Sequence, residues 1–207
     1  MSEAARYPDR VRLPIAFDPL RLVADLTALE DTQWTPHFVP RNYVGDWSAM
    51  PLRAPKGAEH PILMIVSQPD GECVDAPALR RTPYFRAVLG ALDCPLRNVR
   101  LMQLAPGSSI LEHRDPGLCA EEGSVRLHIP VLTNPGVRFY VNGTSVAMAP
   151  GETWYLRLSD PHRVDNFGDG PRVHLVIDAD LSPWLIRQLD DGAGLRAAEA
   201  SSRRIDE

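Results

Sequence analysis

Val137-Arg138-Phe139-Tyr140-Val141-Asn142-Gly143-Thr144-Ser145-Val146-Ala147-Met148 is the stretch on which the fold turns. Asn142-Gly143 sits between two apolar-rich runs, and both positions of a tight two-residue turn need positive φ, so the segment predicts a β-hairpin. Outward from it, the period stays two-fold from Val99 to Asp180, broken at Pro106-Gly107, Pro135-Gly136 and Pro150-Gly151. Closely spaced antiparallel strands of this kind predict a sandwich or barrel with helices laid on an outer face. The expected class is therefore mainly β with flanking helices, in the form of a double-stranded β-helix, a jelly-roll barrel. Arg41–Val66 is expected to add one or two strands. Three helix starts share one signal, a capping side chain before proline: Asp18-Pro19, Thr82-Pro83 and Ser182-Pro183. After Thr82, the residues Phe85, Val88, Leu89 and Leu92 form one buried stripe.

The 207 residues suffice for one domain with its own core. Residues 1–189 are read as that domain, with the barrel core at about 99–180, and residues 190–207 as a polar C-terminal tail. A net charge of −5 gives no reason to expect a nucleic-acid partner. No apolar run approaches a membrane span, and Met1–Pro14 lacks the apolar block of a signal peptide. Three unpaired-looking cysteines, Cys73, Cys94 and Cys119, fit a reducing cytoplasm. The segment Pro183–Leu189 is a packing element, either for the barrel itself or for a homodimer.

Candidate chemistry begins at His113-Arg114-Asp115. Two residues apart at a strand end, His113 and Asp115 can point to one face. His162 follows the turn signal Ser159-Asp160-Pro161. Two imidazoles and one carboxylate on one face of an ion, with the other positions open, make the site of non-haem Fe(II) oxygenases. The pair alone decides little, because with 6 histidines in the chain a chance His-x-Asp arises about once in two such sequences. From the pair alone, a loop in which Asp115 caps a turn and His113 packs on the sheet is the better reading.

A second pattern occurs twice. In Val125-Arg126-Leu127-His128-Ile129 and Pro171-Arg172-Val173-His174-Leu175, arginine and histidine alternate with apolar residues. Period two puts Arg126 with His128, and Arg172 with His174, on one face of each strand. That face is either a solvated outer surface or an interior wall where a fixed arginine requires a carboxylate. In the second case Arg172 anchors an acidic co-substrate that chelates the metal at its other end, with Arg126 or His128 holding the nearer end.

Taken in order, Pro106-Gly107, His113-Arg114-Asp115, Arg126-Leu127-His128-Ile129-Pro130, Gly151-Glu152, Pro161-His162 and Arg172-Val173-His174-Leu175 leading into Asp178 resemble the aspartyl/asparaginyl β-hydroxylase family. This is a branch of the Fe(II)- and 2-oxoglutarate-dependent oxygenases. The resemblance covers about two-fifths of the chain, and the step from His162 to Arg172 agrees with the family's spacing. It implies a dioxygenase with His113, Asp115 and His162 as iron ligands. Arg172 would hold the distal carboxylate of 2-oxoglutarate, and Arg126 with His128 would lie near its proximal carboxylate. Animal members lack the carboxylate ligand that Asp115 supplies, so the chain is more similar to bacterial small-molecule hydroxylases of the family. The carboxylate also argues against a halogenase. The family's polar residue on the first core strand falls at Met102, which leaves that contact unassigned.

The expected partners are accordingly dioxygen and a small-molecule substrate, an amino acid or its derivative. A peptidyl Asp or Asn residue is the next substrate class, and a cupin-like barrel that binds a metal or small acid without turnover is the alternative from another class. A zinc or manganese barrel is a third. Among other residues, Trp154 and Tyr155 are expected in the core rather than lining a substrate pocket, Asn166 in a turn or on substrate, Arg100 at the surface or, from the Met102 face of its strand, supplying the missing polar contact, His37 and His60 in loops, and Cys119 as a free thiol. Trp34 and Trp47 wall the cavity or pack beneath it.

Overall fold

A computed structural model describes residues 5–66 and 71–195. The expected tail from 196 onward lies outside the described residues. Among the described residues, thirteen strands form two sheets. The larger runs β1 (Arg10–Ala16), β11 (Glu152–Leu156), β8 (Ser124–Leu132), β13 (Arg172–Asp180), β6 (Leu96–Leu104), β4 (Trp47–Pro55) and β2 (Thr35–Pro36), with β5 (Cys73–Asp75) also on β4. The smaller runs β10 (Thr144–Ser145), β9 (Val137–Val141), β12 (His162–Asn166), β7 (Ser108–His113) and β3 (Tyr43–Val44). This is the jelly-roll class that the strand spacing predicts. The two sheets stay open rather than closing into a barrel, since no pairing among the described strands joins one to the other.

The Asn142-Gly143 hairpin forms as expected, with φ of 50° and 70° at its two positions and Thr144 opposite Val141. Its second strand is shorter than the pattern suggests, ending at Ser145 rather than Met148. Strand β1 carries no clear signal in the sequence, whereas Arg41–Val66 supplies β3 and β4, the one or two strands expected of it. β1 is an edge strand, the position where its Pro14 can lie without breaking a ladder. β4 spans nine residues beside β6, with a register shift between Pro51 and Arg53.

Helices α1 (Pro19–Thr27) and α5 (Pro183–Gly192) start as read, Asp18 accepting from the Leu20 amide and Ser182 from the Leu185 amide. Two shorter helices, α2 (Pro61–Ile65) and α3 (Pro77–Arg80), were not anticipated. Helix α4 (Pro83–Gly90) departs from the expected cap. Thr82 closes the preceding helix instead, its hydroxyl donating to the Ala78 and Leu79 carbonyls. The cap comes from α1, where Asp25 Oδ2 accepts from the Phe85 amide at 2.7 Å. Helix α5 extends past residue 189 and spends its apolar stripe within the domain, with Leu185 and Leu189 fully buried and the helix packed on β1.

The larger sheet is buried on both faces, and the faces differ in kind. Val173, Leu175, Ile177 and Ala179 of β13, with Val125, Leu127, Ile129 and Val131 of β8, share one apolar core with residues of α1, α4 and α5. Alternation then turns Arg172, His174, Val176 and Asp178 toward the smaller sheet. Arg126 with His128, and Arg100 with Met102, have the same phase on β8 and β6. The cost of this polar inner face is borne by the outer one, where each buried Leu, Ile or Val contributes about 1.5–3 kcal/mol. No helix among the described residues is long and apolar enough to cross a membrane.

Candidate metal centre and anion pocket

His113 ends β7 and His162 begins β12, and the two face each other in the ladder, ring centroids 4.3 Å apart. Asp115 follows the strand and is pinned by its amide, which donates to the Leu158 carbonyl at 2.8 Å. One donor atom from each of His113, Asp115 and His162 lies within 4.8 Å of the others.

The imidazoles are also set in the required tautomer. Nδ1 of His113 lies 2.7 Å from the Leu111 carbonyl and Nδ1 of His162 lies 3.0 Å from the Asp160 carbonyl. A carbonyl can only accept, so both Nδ1 atoms carry the proton and both Nε2 atoms present a lone pair. Burial lowers the His162 pKa, with the Asp160 carbonyl opposing, so the ring is neutral at pH 7. His113 Nε2 stands 3.6 Å from Asp115 Oδ1. The other oxygen, Oδ2, accepts from Arg126 Nη1 at 2.7 Å.

A cavity of about 420 Å³ opens between the sheets, and all six residues predicted for the site line it: His113, Asp115, His162, Arg126, His128 and Arg172. Their electrostatic states differ. Burial works against the charge on Arg126, but Asp178 and Asp115 outweigh it and raise its pKa. Arg172, 2% exposed, has no such support: it pairs with no carboxylate among the described residues, and burial pushes it down to about 9. Its Nη2 donates to His174 Nδ1 at 2.8 Å, and the Phe139 ring centroid lies 5.7 Å from the guanidinium carbon. His174 lies 3.3 Å from His128, Nδ1 to Nδ1. Burial first, then the Arg172 charge, holds both rings far below the usual histidine range.

Several other expectations are corrected. Arg100 is buried, not at the surface: it lines the cavity, donates to Asp178 Oδ2 and the Ile65 carbonyl at 2.6 Å each, and has its pKa lowered by burial. Its signal was the phase it shares with Met102, which also lines the cavity and pairs with His174 across the ladder. His37 is not a bystander in a loop. It stacks on Trp47 with centroids 3.5 Å apart, lines the cavity, and is pushed down to about 3 by burial and by Arg100. No local pattern marks it. Asn166 is structural, its amide donating to the Leu104 and Gly170 carbonyls. Trp154 is half-buried against the inner core and is not among the cavity-lining residues. Cys119 is a free thiol, as expected.

Five buried polar atoms of cavity-lining side chains have no hydrogen-bond partner among the described residues: Trp47 Nε1, Asn98 Nδ2, Arg100 Nε, His128 Nε2 and Arg172 Nε. Such atoms are costly when empty, and their convergence on one space is what a polar ligand requires.

Residues 21–180 match a family model described as aspartyl/asparaginyl beta-hydroxylase. A curated relative, the L-proline cis-4-hydroxylase of Rhizobium meliloti (strain 1021), is 28% identical over 172 residues. The match covers 82% of this chain, which spans 60% of the relative's length. Among solved structures, an α-ketoglutarate-dependent carbocyclase from nogalamycin biosynthesis superposes with a TM-score of 0.55 at 14% identity, over 87% of this chain and 84% of that one. The viral collagen prolyl hydroxylase of Paramecium bursaria Chlorella virus 1 gives 0.50 at 9% identity, over 86% and 100%. At these identities the two structures speak for the fold.

Proposed function

The chain belongs to the aspartyl/asparaginyl β-hydroxylase family, and from that premise we propose that it is an Fe(II)- and 2-oxoglutarate-dependent dioxygenase hydroxylating a C–H bond of a small substrate, an amino acid or a derivative of one. The observation that carries this reading is Arg172, a buried guanidinium without a carboxylate partner among the described residues, in the cavity that also holds a His-Asp-His donor set. A dicarboxylate answers that charge with the geometry that a planar fork prefers.

The residues fit both groups. His113, Asp115 and His162 would hold Fe(II) and leave its remaining positions open. Arg172 would take the distal carboxylate of 2-oxoglutarate, and Arg126 with His128 would stand near the proximal one. When bound, the metal and co-substrate together supply dioxygen activation, coupled to the loss of carbon dioxide and formation of succinate. The chain's own task is to orient and to shield. Leu111 and Asp160 keep the imidazole protons off Nε2, and Arg172 fixes the co-substrate's length axis. Phe139, Ile110 and Leu158, all buried on the cavity wall, keep water sparse.

Charge supports a carboxylate-bearing substrate. Arg97, Arg100, Arg126 and Arg172 line the cavity with Asp115 and Asp178; with Arg97 paired to Asp180 outside the lining, an excess of one positive charge is left while the buried histidines stay neutral. Fe(II) and the dianion of 2-oxoglutarate cancel, so the excess remains for the substrate. Because a relative acts on L-proline by name, free proline and other amino acids are the first compounds to test.

The test is succinate release from the full chain with Fe(II), 2-oxoglutarate and an amino-acid panel under air. Release that depends on both additions and rises with one substrate is expected, and His162→Ala should abolish it. Wild-type rates from His162→Ala, or no release with any substrate while metal and 2-oxoglutarate both bind, would refute the proposal, the latter in favour of a binding barrel.

A further inference from the structure

We infer that Asp178 is a positioning residue for the metal centre: acting through Arg126, it decides which oxygen of Asp115 is left for the ion. The inference rests on the reading of His113, Asp115 and His162 as the Fe(II) site and goes one layer behind it.

Asp178 is 3% exposed on the inner face of β13. It grips Arg126 along one edge of the guanidinium, accepting from Nε at Oδ1 (2.6 Å) and from Nη2 at Oδ2 (3.1 Å). That edge is the one with which an arginine makes a fork on a carboxylate. With the edge committed to Asp178, Nη1 is turned toward Asp115 and meets Oδ2 at 2.7 Å. The remaining oxygen, Oδ1, is the one beside His113 Nε2. Asp178 itself is held from the other side by Arg100 Nη2 at 2.6 Å, and Arg100 Nη1 ends the chain on the Ile65 carbonyl at the end of α2.

The chain Ile65–Arg100–Asp178–Arg126–Asp115 is thus continuous, buried along its middle, and terminates on the proposed metal ligand. Without the Asp178 carboxylate, the Nε edge of Arg126 loses the two acceptors that Asp178 supplies. It can then rotate to take both oxygens of Asp115, drawing the carboxylate away from the ion. Two guanidiniums also lose the anion between them and add their repulsion to any cation bound nearby. Partners of this kind typically change metal affinity 10- to 100-fold.

The test titrates Co(II), whose visible spectrum reports the ligand set, into the metal-free full chain. Asp178→Asn is expected to bind Co(II) about 10- to 100-fold more weakly, with an altered spectrum, and Asp178→Glu to recover part of that loss. Asp178→Asn leaves buried charge uncompensated, so the second variant is R100M/D178N, which keeps the wild-type net charge. It should fold and show the same loss. Co(II) affinity within twofold of wild type in either folded variant, or no recovery with Asp178→Glu, overturns the inference alone. Wild-type protein whose Co(II) binding ignores His113→Ala and His162→Ala overturns the underlying site as well, so the two failures are distinguishable.

Discussion

Replacing Arg172 by methionine should stabilise the empty protein and largely remove its response to 2-oxoglutarate. The guanidinium is buried with no carboxylate partner among the described residues, and burial takes its pKa from 12.5 to about 9. At 1.36 kcal/mol per tenfold change, that is about 5 kcal/mol of lost charge solvation. The bond to His174 Nδ1 at 2.8 Å returns about 1.5–3 kcal/mol. Methionine keeps the apolar stem against Phe139 and removes the charge, so the expected gain is the difference of these two terms, about 2–3 kcal/mol. For a domain of this size each kcal/mol is worth about 2–4 °C in Tm. Toward 2-oxoglutarate the sign reverses. Losing one partner of a buried charge pair costs about 2–5 kcal/mol, or roughly 30- to several-thousand-fold in affinity. Thermal melts of the Mn(II)-loaded protein with and without 2-oxoglutarate read both effects. Wild type should gain about 2.7 kcal/mol at 100-fold excess over Kd, while Arg172→Met should melt higher without ligand and gain less than about 1 kcal/mol at the same ligand concentration. A variant that melts lower than wild type, or that keeps the shift, would refute the assignment of Arg172 as an unanswered cation awaiting a dianion.

Two further outcomes follow from groups outside the proposed ligand set. Asp25→Ala removes the acceptor for the Phe85 amide and should cost about 1–2 kcal/mol of stability, read as a lowered urea midpoint with an unchanged m-value; an unchanged midpoint would show that Asp25 is not the cap. Acid should destabilise the metal-free protein before its carboxylates titrate. Burial lowers the pKa of His37 to about 3 and holds His128 and His174 well below the ordinary value of 6.5. Below pH 6.5 the unfolded chain therefore binds protons that the folded chain refuses, and stability falls as pH drops, by up to about 1.4 kcal/mol per pH unit for each such imidazole. Urea unfolding at a series of pH values from 7.5 to about 5 would show it, and a flat profile would contradict the burial of these rings.

Much of this molecule is readable from its sequence because the larger sheet is two-faced. On β13 the residues Val173, Leu175, Ile177 and Ala179 answer to helices and must be apolar, so whatever alternates with them is free to be chemical. Arg172 and His174 stand out against that background, as do Arg126 and His128 on β8. The fork between solvated face and interior wall could not be resolved by parity, since a sheet exposed on one side writes the same alternation. What resolves it is the smaller sheet, whose strands β7 and β12 deliver His113 and His162 from opposite directions. The unread parts have physical reasons. Pro51, Arg53 and Pro55 interrupt the alternation of β4, so that strands are expected in Arg41–Val66 but their bounds are not legible; the strand accommodates Pro51 and Arg53 through a register shift. The edge position of β1 relieves Pro14 of a ladder bond that a central strand would demand. His37 is held at the cavity by its stack on Trp47 and by its amide on the Trp47 carbonyl, contacts that no local periodicity announces.

The same two-faced design explains why three arginines can be tolerated in one interior. Each inner-face charge lies on a strand whose other side is locked into the apolar core, so the backbone cannot relax to let a guanidinium reach water. Arg100 and Arg126 are stabilised within the fold by Asp178, and Arg126 further by Asp115. Arg172 is left to be stabilised from outside. The fold therefore divides its buried cations into two that build the site and one that recognises a ligand, and that division, more than the presence of a His-x-Asp pair, distinguishes this cavity from an ordinary polar void between two sheets.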